Sequence, residues 1–446
     1  MKTSTTNRVF AIVIFMLINT ASRAQQLMSL LKAKFGDENV VLKDSSVFKE
    51  YYAIRFRQPV DHFDTTKGFF MQTVLLGHND AGKPMVIETN GYEILPYQTV
   101  KYRSEPAVIL DANQLIVEHR YYGHSMPGTT DKTWLNFQQV SADYHALKNA
   151  FEDIYKTRWV STGGSKGGVS ALNYSFYFPK DMDATIVYAA PVLEGVEDER
   201  ITRFLDDKRE TATGKKIFAI QKYLFQKKAV LLPVFLDVLK FSGLSSDDID
   251  PEVLYDFAVL EFDFTYWQYF ADFDKLVSRN KKVLAQLAAK GFKDSSILVS
   301  QNDSMIAAFP MCISFLLDRR LSEPYFYQSF TEMGCYGYKE ALFEGYLKNK
   351  NYSFEFLAGR HPGYSRSYIS SFKKFLKQRL THTILVYGAE DPFTSCKATI
   401  DATADNLLFV IPLTNHLTQL KDLGKPDKEK VRKALAEWLD TENINL

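Results

Sequence analysis

The sequence predicts an α/β protein in which a doubly wound sheet is interrupted by a large helical insertion. Strand-like apolar runs alternate with helical periodicity as far as Pro191, the order that builds a sheet covered by helices. From about Glu197 to Leu376 the periodicity is mostly helical, and strand-like runs then return. A crossover between parallel strands needs only about a dozen residues. The insertion is therefore long enough to form a domain of its own.

The predicted strands differ in pattern along the chain. The first two, 51–56 and 69–76, are rich in aromatic and β-branched residues. The next two, 84–88 and 114–118, are nearly continuous apolar runs, as in a buried parallel sheet. The remaining strands are predicted at 158–161, 184–190, 382–387 and 407–411.

Helical periodicity fills the intervals between these strands. Residues 137–155 place Tyr144 and Leu147 on one stripe, and residues 428–440 place Leu435 on an apolar face. The clearest helices of the insertion are predicted at 215–238 and 305–317. We therefore expect a sheet domain at 25–195 and 377–446 and a helical cap domain at 196–376.

The composition of the chain is that of a folded globular protein. Hydrophobic residues make up 46% of its 446 residues and charged residues 24%, which excludes disordered and low-complexity classes. The 54 lysines and arginines balance 53 acidic residues, and a net charge of +1 argues against a nucleic-acid partner. Aromatic residues reach 14%, which predicts either a large core or an aromatic-lined cavity.

Residues 1–24 have the pattern of a secretory signal peptide. Lys2 and Arg8 supply a positive start, residues 9–18 are apolar, and small residues surround a cleavage point near Ala24. The apolar run is too short to span a bilayer stably, which needs about 20 residues. An uncleaved anchor helix is the alternative. We expect a soluble protein, secreted or periplasmic, with no stable membrane insertion after cleavage.

The three cysteines indicate neither a disulfide framework nor a metal site. Cys312 and Cys335 could form one bridge in an oxidising compartment. The alternative is that these two and Cys396 are three buried thiols. Because no clustered His/Cys pattern is present, we expect no metal. We also expect no organic cofactor.

The strongest chemical signal is the segment Gly163-Gly164-Ser165-Lys166-Gly167. It fits G-x-S-x-G and lies between a predicted strand and a predicted helix, as that nucleophile motif requires. Small neighbours let the backbone pass closely while the turn lifts the serine hydroxyl above the sheet edge. A glycine-rich phosphate loop is the alternative, but no Gly-Lys-Ser/Thr ending supports it.

A serine nucleophile needs a base, and His416 is our candidate. In enzymes with this turn the partners follow in the order Ser, acid, His. His416 comes after the last predicted strand, from where an imidazole can reach back over the sheet edge. His361 lies inside the insertion and His382 opens a strand, so both are weaker candidates. An ordinary loop histidine is the alternative for His416.

The acid is predicted at the end of the preceding strand, where Asp391 precedes Pro392. Its carboxylate would hold the imidazole tautomer and stabilise the imidazolium. Glu390 is the competing assignment, and a solvated turn carboxylate is the alternative to both.

An oxyanion site needs two convergent N–H donors. One is the amide of the residue after the nucleophile, Lys166. We predict the amide of Tyr92 as the second, because Asn90-Gly91-Tyr92 follows the third predicted strand and Gly91 permits a close approach. An ordinary Asn-Gly turn is the alternative.

Several segments resemble known prolyl peptidases. Gln58-Pro59 with Asp61-His62-Phe63, and residues 118–125, resemble segments of lysosomal Pro-Xaa carboxypeptidases and their dipeptidyl-peptidase relatives. Residues 162–168 and 415–418 look closer to bacterial prolyl tri/tetrapeptidyl aminopeptidases. The resemblance covers most of 50–190 and 380–420 and is weaker in the insertion, apart from a "T-E-x-G" element at 331–334.

This resemblance implies an α/β-hydrolase fold with a helical cap. It also implies a secreted serine exopeptidase that acts on peptide substrates, releasing short peptides from free N-termini, often after proline. It assigns Ser165, Asp391 and His416 as the catalytic triad.

An aminopeptidase must also bind the substrate's ammonium group, which a buried carboxylate does best. Glu332 is the first candidate, and Glu118 and Glu88 are weaker ones. An ion pair with Arg120 is the alternative for Glu118. The aromatic run at 262–273 could contact a proline ring or form cap core, and core is favoured.

Other functions fit the same scaffold. An esterase or lipase uses the same acyl-transfer groups, so the nucleophile turn does not distinguish it from a peptidase. A carboxypeptidase-type prolyl peptidase is a further alternative. A binding protein that lost catalysis is disfavoured by the intact Ser, Asp and His.

Overall fold

The computed structural model describes residues 26–98, 101–245, 248–270, 272–289, 303–401 and 405–446. The predicted signal peptide, 1–24, lies outside the described residues. The chain has the α/β-hydrolase fold with a long helical insertion, which confirms the predicted fold class.

The described residues form one mixed sheet in the order β1-β2-β3-β5-β4-β6-β7-β8-β9. Its strands are β1 (Val40–Lys43), β2 (Glu50–Pro59), β3 (Phe69–His78), β4 (Met85–Thr89), β5 (Asn113–Val117), β6 (Trp159–Gly164), β7 (Ala184–Tyr188), β8 (Thr383–Gly388) and β9 (Asn406–Ile411). The pairs β1–β2, β2–β3 and β3–β5 are antiparallel, whereas every pair from β5 through β4 to β9 is parallel.

Helices cover both faces of this sheet and fill the insertion between β7 and β8. They are α1 (26–35), α2 (Glu105–Ile109), α3 (Phe137–Phe151), α4 (Lys166–Tyr177), α5 (Glu199–Arg209), α6 (Ala212–Gln226), α7 (Lys228–Phe241), α8 (Pro251–Thr265), α9 (Phe273–Ala289), α10 (Phe309–Leu317), α11 (Arg319–Gln328), α12 (Glu355–Ala358), α13 (Arg366–Gln378) and α14 (Lys425–Leu439).

The parallel half of the sheet is buried on both faces. Every residue of β4 and β5 is buried, which explains their continuous apolar sequence. On one face Leu115 packs in a core with Leu147 and Phe151 of α3. On the other face Ile186 packs in a core with Leu435 of α14. The carboxyl ends of the parallel strands are thereby held rigidly at one edge.

The insertion has a hydrophobic core of its own. Residues such as Leu224, Phe235, Phe257 and Phe309 form a cluster separate from those of the sheet. At its end, α13 instead packs through Phe372 in a core shared with α4 and β8. The division into a sheet domain at 25–195 and 377–446 and a cap domain at 196–376 stays a prediction.

The insertion differs from prediction in two helices. In the expected helix at 305–317, the first residues belong to the 3-10 helix Asp303–Ala308, and α10 begins only at Phe309. The expected helix at 215–238 is two helices, because α6 ends at Gln226 and α7 begins at Lys228. Lys227 has φ −96° and ψ 6°, outside the helical region. Both helices bury apolar residues in the same core, so the periodicity continues across the break and does not reveal it.

Three findings on the described residues concern membrane insertion, metal binding and disulfide bonds. None of their helices is both long and apolar enough to cross a membrane. No group of three or more His, Cys, Asp or Glu side chains among them is arranged to hold a metal ion. Cys312, Cys335 and Cys396 are free, buried thiols.

Candidate active site

The predicted catalytic residues follow parallel strands that end at the same edge of the sheet. Ser165 follows β6, Asp391 comes after β8, and His416 comes after β9. Ligands of open α/β sheets bind at the carboxyl ends of such strands. Residues that are far apart in sequence are therefore brought to one side of the molecule.

Ser165 occupies a strained turn between β6 and α4. Its φ of 53° and ψ of −126° are rare for a residue with a side chain, and such strain concentrates at functional sites. Its N–H donates to the Tyr188 carbonyl at 2.8 Å, which ties the turn to β7. The serine is half-buried and forms the N-cap position of α4.

Two glycines of the motif allow this turn to form. A Cβ at Gly163 would lie 2.5 Å from the Gly167 backbone, and a Cβ at Gly167 would lie 2.4 Å from the Thr89 carbonyl oxygen. The Thr89 hydroxyl donates to the Thr162 and Gly167 carbonyls at 3.0 and 2.8 Å. The end of β4 is thus packed directly against the turn.

Asp391 and His416 are hydrogen-bonded. His416 Nδ1 lies 2.6 Å from Asp391 Oδ2. The Asp391 side chain is fully buried, and its Oδ1 accepts from the Phe393 N–H at 3.1 Å. A buried carboxylate held in this way fixes the tautomer that leaves Nε2 free to act as a base. Glu390, the competing acid, instead pairs with Lys208.

Neighbouring strands and the insertion hold the His416 loop in place. A Cβ at Gly388 would lie 2.2 Å from the Asn415 carbonyl oxygen, so the glycine lets the loop approach β8. The His416 N–H donates to the Gln268 carbonyl at 3.1 Å. Its ring lies 5.9 Å from the Tyr269 ring and 5.7 Å from the Phe393 ring.

The two rival histidines have other partners. His361 Nε2 lies 3.3 Å from Glu355 Oε1. The His382 ring stacks on Trp438 at 5.1 Å, and its Nδ1 contacts the Asp183 carbonyl at 3.0 Å. Neither is placed beside Asp391.

The loop that follows β4 lies against the start of α4, as an oxyanion site requires. A Cβ at Gly91 would lie 2.9 Å from the Gly167 nitrogen. The Lys166 ammonium donates to the Gly91 carbonyl at 2.6 Å and lies 5.3 Å from the Tyr92 ring. Burial holds the pKa of Lys166 well below its usual value. The side chain of Lys166 thus fastens together the two segments that carry the predicted donors.

Ser165 lines a cavity of about 750 Å³, counting the space open to solvent. Its wall is mainly aromatic and includes Tyr92, Tyr269, Phe315, Tyr325, Tyr336 and Phe393. Ligand pockets of proteins commonly combine apolar and aromatic walls with a small number of polar groups. Since Tyr269 and Phe393 also contact His416, the cavity and the histidine share a wall.

None of the three predicted ammonium-binding carboxylates is among the residues found to line this cavity. Glu332 accepts from the Phe137 N–H at 2.7 Å, at the start of α3. Glu118 accepts from the Ser125 hydroxyl at 2.7 Å, and not from Arg120. Glu88 accepts from the Tyr102 hydroxyl at 2.8 Å. Burial raises the pKa of both Glu88 and Glu332 to about 7.

The cavity carries a carboxylate that our sequence interpretation missed. Glu261, on α8, lines it together with Ser165. Its oxygens accept from the hydroxyls of Tyr336 at 2.8 Å and Tyr338 at 2.6 Å. The only sequence signal is a charge within an apolar helix, and Asp256 and Asp263 of the same helix give the same signal.

The aromatic run at 262–273 divides between core and cavity. Phe264 and Tyr269 line the cavity. The other members are Phe262, Tyr266, Trp267 and Phe273, which belong to the core of the insertion, and Phe270, which packs against it. The sequence does not separate the two groups, because the π-helical turn Tyr266–Phe270 changes the helical period within the run.

Much of the peptidase-like sequence forms a buried network away from the cavity. Arg120 is fully buried and binds Asp143 through two contacts of 2.7 Å. Asp143 also contacts His62 Nε2 at 2.8 Å. These residues fasten β2, β5 and α3 together, a structural role that the resemblance alone does not indicate.

Two relatives show what the chain is similar to. The prolyl tri/tetrapeptidyl aminopeptidase of Streptomyces mobaraensis is 26% identical over 408 residues, which covers 87% of this chain and 80% of that protein. The human lysosomal Pro-X carboxypeptidase is 27% identical over 164 residues, about 33% of each chain.

A solved structure and a family model complete the comparison. The proline iminopeptidase of Mycobacterium smegmatis aligns with 87% of this chain and 98% of its own, at 13% identity and a TM-score of 0.37. The sequence model of the family described as PS-10 peptidase S37 matches residues 36–444. On the strength of that match, which runs through nearly the whole chain, this protein belongs to the PS-10 peptidase S37 family and is a serine peptidase.

Proposed function

We propose that this serine peptidase is an exported exopeptidase that releases short peptides from free N-termini, cleaving after proline. The observation that carries the catalytic part is the 2.6 Å contact between Asp391 and His416, at the strand edge where Ser165 sits in its strained turn. The substrate part rests on the Streptomyces mobaraensis aminopeptidase, because its similarity spans most of both chains. The carboxypeptidase similarity spans only a third.

The proposed reaction passes through an acyl-enzyme. His416 Nε2 removes the proton from the Ser165 hydroxyl as its oxygen attacks the carbonyl carbon of the scissile bond. Asp391 stabilises the imidazolium that forms. The negative oxygen of the tetrahedral intermediate accepts from the amides of Tyr92 and Lys166. His416 then protonates the departing amine, and a water molecule, activated in the same way, releases the acyl peptide.

The triad is tested by single substitutions. We expect Ser165→Ala and Asp391→Asn to fold normally and to lose about 10⁴-fold or more in kcat on a proline-containing tripeptide anilide. Glu390→Gln is the matched control, since Glu390 pairs with Lys208, and it should keep kcat within about threefold. Full turnover by Ser165→Ala would rule out the mechanism.

Substrate class is tested on the wild-type protein. Free and N-acetylated forms of the same proline tripeptide anilide are compared with a simple ester. Preferred cleavage of the free peptide supports the proposal. Ester cleavage alone would indicate an esterase, and equal cleavage of free and blocked peptides would reject an aminopeptidase.

Export is proposed from the sequence of residues 1–24. N-terminal sequencing of the protein from its host should find a mature chain that begins near Gln25. A chain that keeps residues 1–24 would indicate an anchor instead.

A further inference from the structure

Glu261 is the one carboxylate among the described residues that line the Ser165 cavity, and these include no lysine or arginine. It is 7% exposed and lies near the end of α8. An ionised carboxylate in such surroundings is costly unless hydrogen bonds or a cation compensate for lost hydration. Its position therefore calls for an explanation in terms of what enters the cavity.

The hydrogen bonds of Glu261 leave capacity for a cation. Tyr336 donates one hydroxyl proton to Oε1 and Tyr338 donates one to Oε2. Each carboxylate oxygen can accept a further hydrogen bond. Within the described part of the chain, no lysine, arginine or histidine forms an ion pair with Glu261. Burial raises its pKa to about 7.

We propose that Glu261, oriented by Tyr336 and Tyr338, binds the N-terminal ammonium group of the peptide substrate. This inference rests on the proposed aminopeptidase function and names the residue that makes it specific for free N-termini. An ammonium group has three donors and a full positive charge, so it satisfies the free lone pairs and neutralises the buried carboxylate.

The placement of Glu261 also explains how the enzyme would release peptides of a fixed length. Glu261 and Ser165 line the same cavity, so a substrate anchored at its amine presents to Ser165 a bond at a fixed distance. An extended chain advances about 3.3–3.6 Å per residue. The separation between carboxylate and hydroxyl therefore determines how many residues are released, and the aromatic walls between them contact the side chains.

The test compares Glu261→Gln with the wild type on three substrates: the free proline tripeptide anilide, its N-acetylated form and p-nitrophenyl acetate. We expect kcat/KM for the free peptide to fall about 100-fold, as when one partner of a buried charge pair is removed. The acetylated peptide and the ester should change by less than about threefold. The preference for the free amine would then largely disappear.

Glu332→Gln is the matched control, because Glu332 is a half-buried glutamate whose pKa is also raised to about 7, but it is not among the residues found to line the cavity. It should keep the preference of the wild type. A Glu261→Gln enzyme that also keeps it would overturn our assignment while leaving the proposed function intact. A wild type without any preference would instead reject the proposed function, and this assignment with it.

Tyr338→Phe provides a second test if Glu261→Gln does not fold. It keeps the carboxylate but removes the donor at 2.6 Å, which should raise the pKa of Glu261 further. We expect KM for the free peptide, expressed as a ratio to the wild-type KM at the same pH, to rise at pH 7 and to fall back towards one as the pH is raised to 8, with ester hydrolysis unchanged. An unchanged KM at pH 7 would count against the assignment.

Discussion

At the nucleophile turn, contacts with neighbouring backbone atoms determine which positions must be glycine. Gly163 and Gly164 are adjacent, yet their surroundings differ. A Cβ at Gly163 would meet the Gly167 backbone at 2.5 Å, whereas a Cβ at Gly164 would meet nothing closer than the Tyr188 carbonyl oxygen at 4.0 Å. Of the two variable positions of the motif, position 164 therefore faces open space, whereas Lys166 is buried.

This contrast predicts opposite outcomes for two neighbouring substitutions. Gly163→Ala should lower the free energy of unfolding by about 1–3 kcal/mol or more, because the added methyl group displaces backbone. It should also slow fluorophosphonate labelling of Ser165. Gly164→Ala should change stability by less than about 1 kcal/mol. Urea unfolding and labelling rates measure both effects, and equal stabilities would refute the steric explanation.

Among the elements, the π-helical turn Ser329–Met333 links the insertion to the sheet domain. Its Glu332 accepts from the first N–H of α3, a position that otherwise has no partner in the helix. Gly334 follows with φ 85°, and a Cβ there would lie 2.4 Å from Leu193 Cβ. The "T-E-x-G" element thus forms a junction in which Glu332 has a structural partner, and ammonium binding by Glu332 stays a prediction.

Glu332→Ala should therefore reduce stability without changing specificity. At pH 5, where the carboxyl is protonated, loss of the acceptor for Phe137 N–H should cost about 1–2 kcal/mol. Glu332→Gln keeps an acceptor and should cost less. Urea unfolding measures the first effect, and the free-to-acetylated substrate ratio measures the second. If the variant lost the preference for free amines, Glu332 would instead be assigned to the substrate-binding site.

A second π-helical turn, Tyr266–Phe270, connects the insertion to the catalytic loop. The Gln268 carbonyl accepts from the His416 N–H, and Tyr269 contacts the His416 ring. The insertion is therefore not only a cover over the cavity, because it also positions the proposed base.

For the whole molecule, buried acids make stability depend on pH. Burial raises the pKa of Glu88, Glu261 and Glu332 to about 7. Between about pH 4.5 and 7 the unfolded chain has lost these protons while the folded chain keeps them, so each group lowers stability as pH rises. His78 and His119 act in the opposite direction, since burial lowers their pKa values.

Because these effects oppose one another, the prediction concerns a difference between variants. From pH 5 to pH 8, Glu332→Gln should gain up to about 3 kcal/mol in stability relative to the wild type, since one pKa unit corresponds to about 1.4 kcal/mol. Urea unfolding at both pH values and constant ionic strength measures it. A difference that does not change with pH would show that Glu332 titrates normally.

Local sequence pattern was enough to predict several features. Apolar runs predicted the strands, and the order of elements predicted a doubly wound α/β sheet with a helical insertion, which the resemblance identified as an α/β-hydrolase fold. The G-x-S-x-G motif around Ser165 predicted a nucleophile turn, because it lies between a predicted strand and a predicted helix. The resemblance to prolyl peptidases was also local, and the family match confirms it.

Contacts between polar groups depend on how distant elements pack. Glu332 reaches the Phe137 N–H, 195 positions away, and Glu261 reaches the hydroxyl of Tyr336, 75 positions away. A buried carboxylate looks the same in sequence whether it caps a helix or lines a cavity. The difference depends on packing between distant elements. The hydrophobic periodicity of the sequence gives no information on that packing.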